Sequence, residues 1–362
     1  MSLLETLQHN PLIGDGAMGT MLYAKGIFIN TCYEQLCLTK PELIERVHRD
    51  YVEAGADLIE TNTFGANRLK LEAHGIADQL EAINRAAVHL ARKVAKPNTY
   101  ILGSVGPLLQ SDQLFSDRHT SELEQLFHEQ IALLADENVD AIQLETFTHV
   151  DEAELAARIA ASYNLPVFVS VTVGKDGETR RGERIEQIIR QLDACDAVDA
   201  IGINCGLGPA AAFSIAERAL PLTSKPFSVN ANAGLPQEVD GRLIYMSTPE
   251  YFSEYAKRLI ELGVRMVGGC CGTTPEHIAT MSKQVKSLSG VKEHIQITHH
   301  TDQETPPIKT IPTTAKCRFG AKLVAGEKVT SIEITPPPSI GTQPLPPKPQ
   351  QRHEPGNRHP RP

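Results

Sequence analysis

Short runs of apolar residues recur along most of the chain, and a helix-like pattern of apolar and polar positions follows each run. Strands buried in a parallel sheet show continuous apolar runs, whereas helices place apolar residues three or four positions apart. Eight predicted strands cover residues 11–16, 56–64, 99–107, 139–147, 165–173, 198–206, 225–234 and 264–272. This alternation predicts an α/β fold, a (β/α)8 TIM barrel, although periodicity alone is also compatible with a doubly wound open sheet.

The ends of two predicted helices carry sequence signals. The segment at residues 41–56 has one apolar face and stops at Gly55, and the helix before the eighth strand stops at Gly263, where a left-handed cap favours glycine. Ser247 and Glu250 have the spacing of a capping box, which predicts the start of that second helix. These signals support helices between the strands.

The pattern changes after residue 292. Residues 293–320 are rich in polar residues, threonine and proline without periodicity, which predicts a linker. Residues 321–362 begin with a strand-like segment, but ten of the 24 prolines lie between Pro336 and Pro362, and such a tail cannot bury a core. We therefore expect a barrel domain over residues 1–292, a linker, and a disordered Pro-rich C-terminal tail.

The composition narrows the class of protein. Of the 362 residues 41% are hydrophobic, which allows a large core, and a net charge of −9 disfavours nucleic acid as a partner. No apolar run is long enough to span a membrane, and the first ten residues lack a signal-peptide pattern. Seven cysteines without a framework spacing are typical of reduced thiols. We expect a cytoplasmic protein with neither nucleic acid nor membrane as a partner; no pattern specifies its oligomeric state.

Polar residues end several of the predicted strands, where a barrel places its chemistry. They are Asp15, Glu60, Asn62, Glu145, Asn204, Asn230 and Asn232. Asp15 lies within GDGAMG, residues 14–19, which has the spacing of a dinucleotide fingerprint. A carboxylate beside a pyrophosphate would repel it, so we expect Asp15 to bind a cation such as a substrate amine.

Three cysteines lie at the ends of two strands that a barrel brings near each other. Cys205 follows the sixth strand, and Cys270 and Cys271 follow the eighth among glycines. Such an adjacent pair can form a strained disulfide, can be two inert small residues, or can bind one metal ion, and the spacing leaves all three open. Three thiolates with one open position are typical of catalytic zinc, which makes Zn²⁺ the expected cofactor.

The strand-end motifs together resemble the homocysteine S-methyltransferase family over about residues 5–290. The motifs are GDGAMGT (14–20), ADLIETNTFGAN (56–67), GSVGP (103–107), IQLETF (142–147), GINCG (202–206), NANAG (230–234) and GGCCGT (268–273). The resemblance implies a (β/α)8 barrel with one zinc ion, held here by Cys205, Cys270 and Cys271, through which these residues act in catalysis.

The same resemblance implies the substrate site. Asp15 and Glu145 match the carboxylates that bind the amino group of homocysteine, and Glu60 and Asn62 lie in a matching motif and are expected to bind substrate as well. The implied reaction transfers a methyl group from a small donor, S-methylmethionine or 5-methyltetrahydrofolate, with betaine as a third option, to the homocysteine thiol to form methionine.

Two other interpretations compete with this one. A different barrel enzyme, such as an aldolase, would need a Schiff-base lysine or a phosphate site at a strand end, and no lysine lies at any of the eight. A catalytically inactive remnant would bind zinc and homocysteine without turnover. The segment at residues 322–337 resembles the opening strand of a methylenetetrahydrofolate reductase domain, with Glu333 as its acidic residue, so the chain resembles the truncated first half of a bifunctional methyltransferase–reductase.

Overall fold

The computed structural model describes residues 2–28, 30–109, 120–239, 242–288, 321–322 and 324–327. Internal contacts divide the chain into Met1–Gln296 and Ile297–Pro362. The first unit contains all strands and all the long helices of the described residues. The expected linker and tail, including Glu333 and the reductase-like segment, lie almost entirely outside the described residues and stay predictions.

Eight parallel strands form a nearly closed barrel, as predicted. They are β1 (Leu12–Ile13), β2 (Leu58–Glu60), β3 (Tyr100–Val105), β4 (Ala141–Phe147), β5 (Val167–Val171), β6 (Ala200–Asn204), β7 (Phe227–Ala231) and β10 (Met266–Gly269). Their order is β1-β10-β7-β6-β5-β4-β3-β2. The amide of Asp57 donates to the carbonyl of Ile13 over 2.7 Å, which joins the two edge strands. The chain therefore does not form an open doubly wound sheet.

Helix α1 precedes β1, and the other helices follow the barrel strands and surround them. They are α1 (Leu3–His9), α2 (Gly19–Ala24), α3 (Leu36–Thr39), α4 (Pro41–Ala54), α5 (Arg68–Ala73), α6 (Leu80–Val94), α7 (Thr120–Asp136), α8 (Val150–Ala161), α9 (Ile185–Asp193), α10 (Pro209–Ala219), α11 (Pro249–Leu262) and α12 (Pro275–Leu288). None of the helices in the described ranges is long and apolar enough to cross a membrane.

The two predicted helix ends at glycine are confirmed, and the predicted N-terminal cap of α11 is wrong by one residue. Gly55 and Gly263 end α4 and α11 with φ of +99° and +116°, in the left-handed region. The N-terminal cap of α11 is Thr248, whose side chain accepts from the amide of Tyr251, so the predicted cap at Ser247 is wrong. Both serine and threonine are favoured N-terminal caps, and the local sequence did not distinguish the two neighbours.

Helix α1 closes the barrel at the amino-terminal ends of the strands. Leu3 and Leu7 are buried and pack in one cluster with the first residues of the strands, among them Leu12, Leu58 and Phe168. The hydroxyls of Thr6 and Tyr100 lie 2.8 Å apart. Among the described residues, the cavity lined by the candidate site residues lies at the opposite, carboxyl-terminal end of the barrel.

A short antiparallel hairpin lies in the connection between β7 and α11. It consists of β8 (Gln237–Val239) and β9 (Arg242–Ile244), and the hydrophobic pattern did not predict it. Each strand has only three residues, which is too short for an alternating pattern to be recognised. The hairpin brings Tyr245 to the carboxyl-terminal face of the barrel.

Candidate active site

A cavity of about 480 Å³ opens at the carboxyl-terminal ends of the strands. Its wall is formed by residues at or just after the carboxyl-terminal ends of β1, β2, β4, β6 and β10, together with aromatic residues from the connecting segments. It contains all the site residues that the sequence indicated, which are Asp15, Glu60, Asn62, Glu145, Cys205, Cys270 and Cys271. One cavity thus holds both the acidic and the thiol-bearing candidates.

The three cysteine sulfurs form one cluster, with all three Sγ atoms within 4.8 Å of one another. The Sγ atoms of Cys205 and Cys271 lie 3.8 Å apart. Main-chain hydrogen bonds fix this arrangement, since the amide of Cys205 donates to Asn230 and the amide of Cys270 donates to Ala231, over 3.0 and 2.7 Å. Strands β6 and β10, both paired with β7, therefore present their thiols at one point.

The geometry distinguishes among the three interpretations of the adjacent cysteines. All three are free thiols, and 3.8 Å is far longer than a disulfide bond of about 2.0 Å. Zn–S distances of about 2.3 Å in a tetrahedron separate sulfurs by about 3.8 Å, so the donor set fits a tetrahedral soft metal ion. The thiols of Cys270 and Cys271 share hydrogen bonds with Cys205, which lowers the pKa of Cys205. The cluster could hold a metal ion.

Three carboxyl groups lie in the same cavity beside the cysteines. Asp15 Oδ2 accepts from the amide of Glu60 over 3.0 Å, and the carboxyls of Glu60 and Glu145 share a hydrogen bond. Burial raises the pKa of Asp15 and of Glu60 well above their usual range, and the charge of Glu145 raises both further. Burial raises the pKa of Glu145 by more than the charge of Lys70 lowers it. Among the described residues, no such cation acts on Asp15 or Glu60. The carboxyl cluster therefore favours the binding of a ligand that carries a positively charged group.

A bulge in β4 aims Glu145 at the cavity. The register between β4 and β5 shifts between Leu144 and Phe147, and Thr146 has φ of +65°, which is uncommon for a β-branched residue. The side chain of Asn204 stabilises the bulge, because its Oδ1 accepts from the amide of Thr146 over 2.8 Å and its Nδ2 donates to Thr146 Oγ1 over 2.8 Å. No local sequence pattern indicated this strained turn.

Two further side chains hold the Glu145 carboxyl in place. Ser104 Oγ donates to Oε1 over 2.5 Å, and Asn204 Nδ2 donates to Oε2 over 3.2 Å. Sequence reasoning placed Asn204 at a strand end without assigning it this role, and it did not select Ser104. The available signal was the serine inside the motif GSVGP, at the end of β3.

Asn62 lines the cavity but directs its amide elsewhere. Its Nδ2 donates to the carbonyl of Tyr33 over 2.8 Å and approaches the sulfur of Cys37 at 3.4 Å. These contacts attach the loop before α3 to the end of β2. A second wall of the cavity comes from that loop and carries Tyr33 and Glu34, together with Tyr23 from α2.

Comparison with known proteins places these features in a family. The model of the family described as homocysteine S-methyltransferase matches residues 12–285. The methionine synthase of Mycobacterium leprae (strain TN) is 36% identical over 304 residues, which are 78% of this chain and 25% of that protein. The methionine synthase of Mycobacterium tuberculosis (strain ATCC 25618 / H37Rv) is 34% identical over 305 residues, which are 79% and 25%. The chain thus spans about a quarter of the length of these curated relatives.

A solved structure agrees with the family match. The oxidized form of the homocysteine methyltransferase MmuM from Escherichia coli has a TM-score of 0.66 and 25% sequence identity, over 78% of this chain and 98% of that one. The family match runs from β1 into α12 and includes all eight barrel strands and every residue of the thiol and carboxyl clusters. The chain therefore belongs to the homocysteine S-methyltransferase family.

Proposed function

We propose that the barrel transfers a methyl group to the sulfur of homocysteine and so forms methionine, with a zinc ion held by Cys205, Cys270 and Cys271. The observation that carries this proposal is the presence of a three-thiol cluster and a three-carboxyl cluster in one cavity. Homocysteine has a thiol and an ammonium group separated by a short carbon chain. Its two functional ends therefore match the two clusters.

The donor set supports zinc among the metals. Three thiolates are soft ligands, and a site with three protein ligands leaves a fourth position open for a substrate atom. Zinc bound there would lower the pKa of a coordinating thiol, so that the attacking sulfur is a thiolate near neutral pH. The protein's part is to hold the three sulfurs at the separation observed between Cys205 and Cys271.

The carboxyl cluster would bind the ammonium group of homocysteine. A cation in contact with Asp15, Glu60 and Glu145 offsets the cost of ionising them in a buried place, so binding would ionise them. Asn204 links the two clusters, because it donates to Glu145 and precedes Cys205 in the chain. The substrate would thus be held at both ends, which orients its sulfur for attack.

The methyl transfer itself needs no further catalytic side chain. The thiol releases its proton to solvent on binding, and the new S–CH₃ bond forms as the bond between the methyl carbon and the donor atom breaks. The leaving group keeps that electron pair: S-methylmethionine leaves as a neutral thioether, and the nitrogen of 5-methyltetrahydrofolate takes up a proton from solvent. No proton leaves the methyl carbon, so no general base is needed there. The barrel would act chiefly by positioning the sulfur in line with the donor's methyl group.

For the donor we propose S-methylmethionine or 5-methyltetrahydrofolate, and one wall of the cavity favours the first. Tyr23, Tyr33 and Glu34 line this wall. Aromatic faces and a carboxylate attract the positive charge of a sulfonium, which S-methylmethionine carries next to its transferable methyl group. The residues of the thiol and carboxyl clusters remain free for homocysteine.

Methionine formation by the purified, zinc-loaded chain tests the proposal. Homocysteine is supplied with S-methylmethionine, 5-methyltetrahydrofolate or betaine in separate reactions, and Cys271→Ser serves as the control that lacks one ligand. We expect methionine with S-methylmethionine and none from the control. If calorimetry shows that homocysteine binds but no donor gives methionine, the chain would instead be a catalytically inactive remnant that binds zinc and homocysteine. We also propose that residues 1–292 suffice, which the same assay on that fragment checks.

A further inference from the structure

Tyr245 lies against the loop that carries the adjacent cysteines. It directly follows β9, is half-buried, and lines the cavity together with Cys270 and Cys271. The next residue of the cysteine loop is Gly272, where an added Cβ would lie 2.1 Å from the Cγ of Tyr245. Gly272 also has φ of +81°, so both the backbone conformation and the aromatic ring require glycine at this position.

The phenol hydroxyl of Tyr245 faces the sulfur of Cys271 within hydrogen-bonding reach. A thiolate can only accept a hydrogen bond, so the phenol hydroxyl is the donor in this contact. The sulfur of Cys205 has comparable support, because it accepts from the amide of Gly206 and from the side chain of Asn232. Each of these two thiols therefore has a donor of its own.

The main chain around Tyr245 is fixed at several points. The amide of Ser247 donates to Ala233 over 2.9 Å, and the Nε2 of His277 lies 3.0 Å from the carbonyl of Ser247. A carbonyl can only accept, so this Nε2 carries a proton and Nδ1 accepts from Thr274 Oγ1 over 2.9 Å. Tyr245 is thus placed by hydrogen bonds that connect its loop to the segment after β7 and to α12.

We propose that Tyr245 is a positioning residue of the metal centre, whose hydroxyl donates a hydrogen bond to the Cys271 thiolate and so orients it and withdraws electron density from it. This inference rests on the proposed metal site. A thiolate that donates less charge leaves the metal ion more positive, which favours the ionised form of a substrate thiol. The hairpin between β7 and α11 would then serve the chemistry by carrying this donor.

Cobalt(II) substitution and zinc competition test the role of Tyr245. The variants are Tyr245→Phe, which removes only the hydroxyl, and Tyr251→Phe as a matched control on α11, where Tyr251 is 46% exposed and packs on Tyr255. In Tyr245→Phe the sulfur-to-cobalt absorption band should move to longer wavelength, because the thiolate becomes a stronger donor. Zinc affinity against a chromophoric chelator should fall about tenfold. The control should match the unmodified chain in both measurements.

Each remaining outcome contradicts the proposal in a different way. An unchanged band and unchanged zinc affinity in Tyr245→Phe would overturn the role of Tyr245 and leave the metal site intact. Lower affinity together with a lower melting temperature of the metal-free variant, and an unmoved band, would make the residue merely structural. An unmodified chain that binds neither cobalt nor zinc would overturn the proposed metal site as well.

Discussion

Replacing Asn204 by alanine should damage both the stability of the barrel and its affinity for homocysteine. The side chain is 2% exposed and makes three hydrogen bonds, two to Thr146 and one to Glu145. In the ligand-free chain, where burial raises the pKa of Glu145, each of the three hydrogen bonds contributes about 1 kcal/mol. The free energy of unfolding should therefore fall by about 3 kcal/mol or more, because the strained turn at Thr146 also loses its support.

The binding effect follows from the bond to the carboxylate alone. If homocysteine needs Glu145 in its observed position, the loss of about 1.5–3 kcal/mol corresponds to roughly 10–150-fold weaker binding. Urea unfolding measures the stability and isothermal calorimetry measures the affinity. Ser104→Ala is the matched comparison, because it removes the other donor to Glu145 and leaves the turn intact, so it should weaken binding with a smaller loss of stability. A stability loss below about 1 kcal/mol for Asn204→Ala, with unchanged affinity, would refute the reasoning.

Three further predictions concern the two clusters. Changing Cys205, Cys270 or Cys271 to serine should abolish zinc binding, measured by elemental analysis. Cys195→Ser, at a buried thiol outside the cavity, should still bind zinc. A full zinc content in any of the first three variants would show that its cysteine is not a zinc ligand. Asp15→Asn should keep zinc and weaken homocysteine binding about 10-fold or more, and loss of zinc there would point to a folding role. Because burial raises the pKa of Asp15 and of the two glutamates beside it, homocysteine affinity should rise with pH as these carboxyls ionise. Over the same pH range the stability of the ligand-free chain should fall, since the folded state binds these protons more tightly than the unfolded state. Calorimetry measures the affinity and urea unfolding the stability, each at about pH 5 and about pH 8. If affinity and stability changed with pH in the same direction, these carboxyls would not be the groups responsible.

The sequence predicted what depends on local periodicity and missed what depends on neighbouring strands. Continuous apolar runs located all eight barrel strands, and glycine at the ends of α4 and α11 marked two helix stops. The bulge at Thr146 arises from the register of β4 against β5, which no local pattern encodes. The same holds for Ser104 and Asn204, whose partners lie 41 and 59 residues away from them in the chain. Tyr245 was missed because its hairpin is too short to show alternation.

Helix α1, which seals the lower end of the barrel, has a consequence for the kinetics of the proposed reaction. Since α1 packs against the amino-terminal ends of the strands, both reactants would enter the cavity from its carboxyl-terminal face. The carboxyl cluster lies in the buried part of the cavity, with Asp15 only 7% exposed, while Tyr23 and Tyr33 are half-buried. Homocysteine would bind first and the donor above it, so the demethylated donor would leave before methionine. Initial-rate kinetics should then show a compulsory order, with methionine a competitive inhibitor against homocysteine.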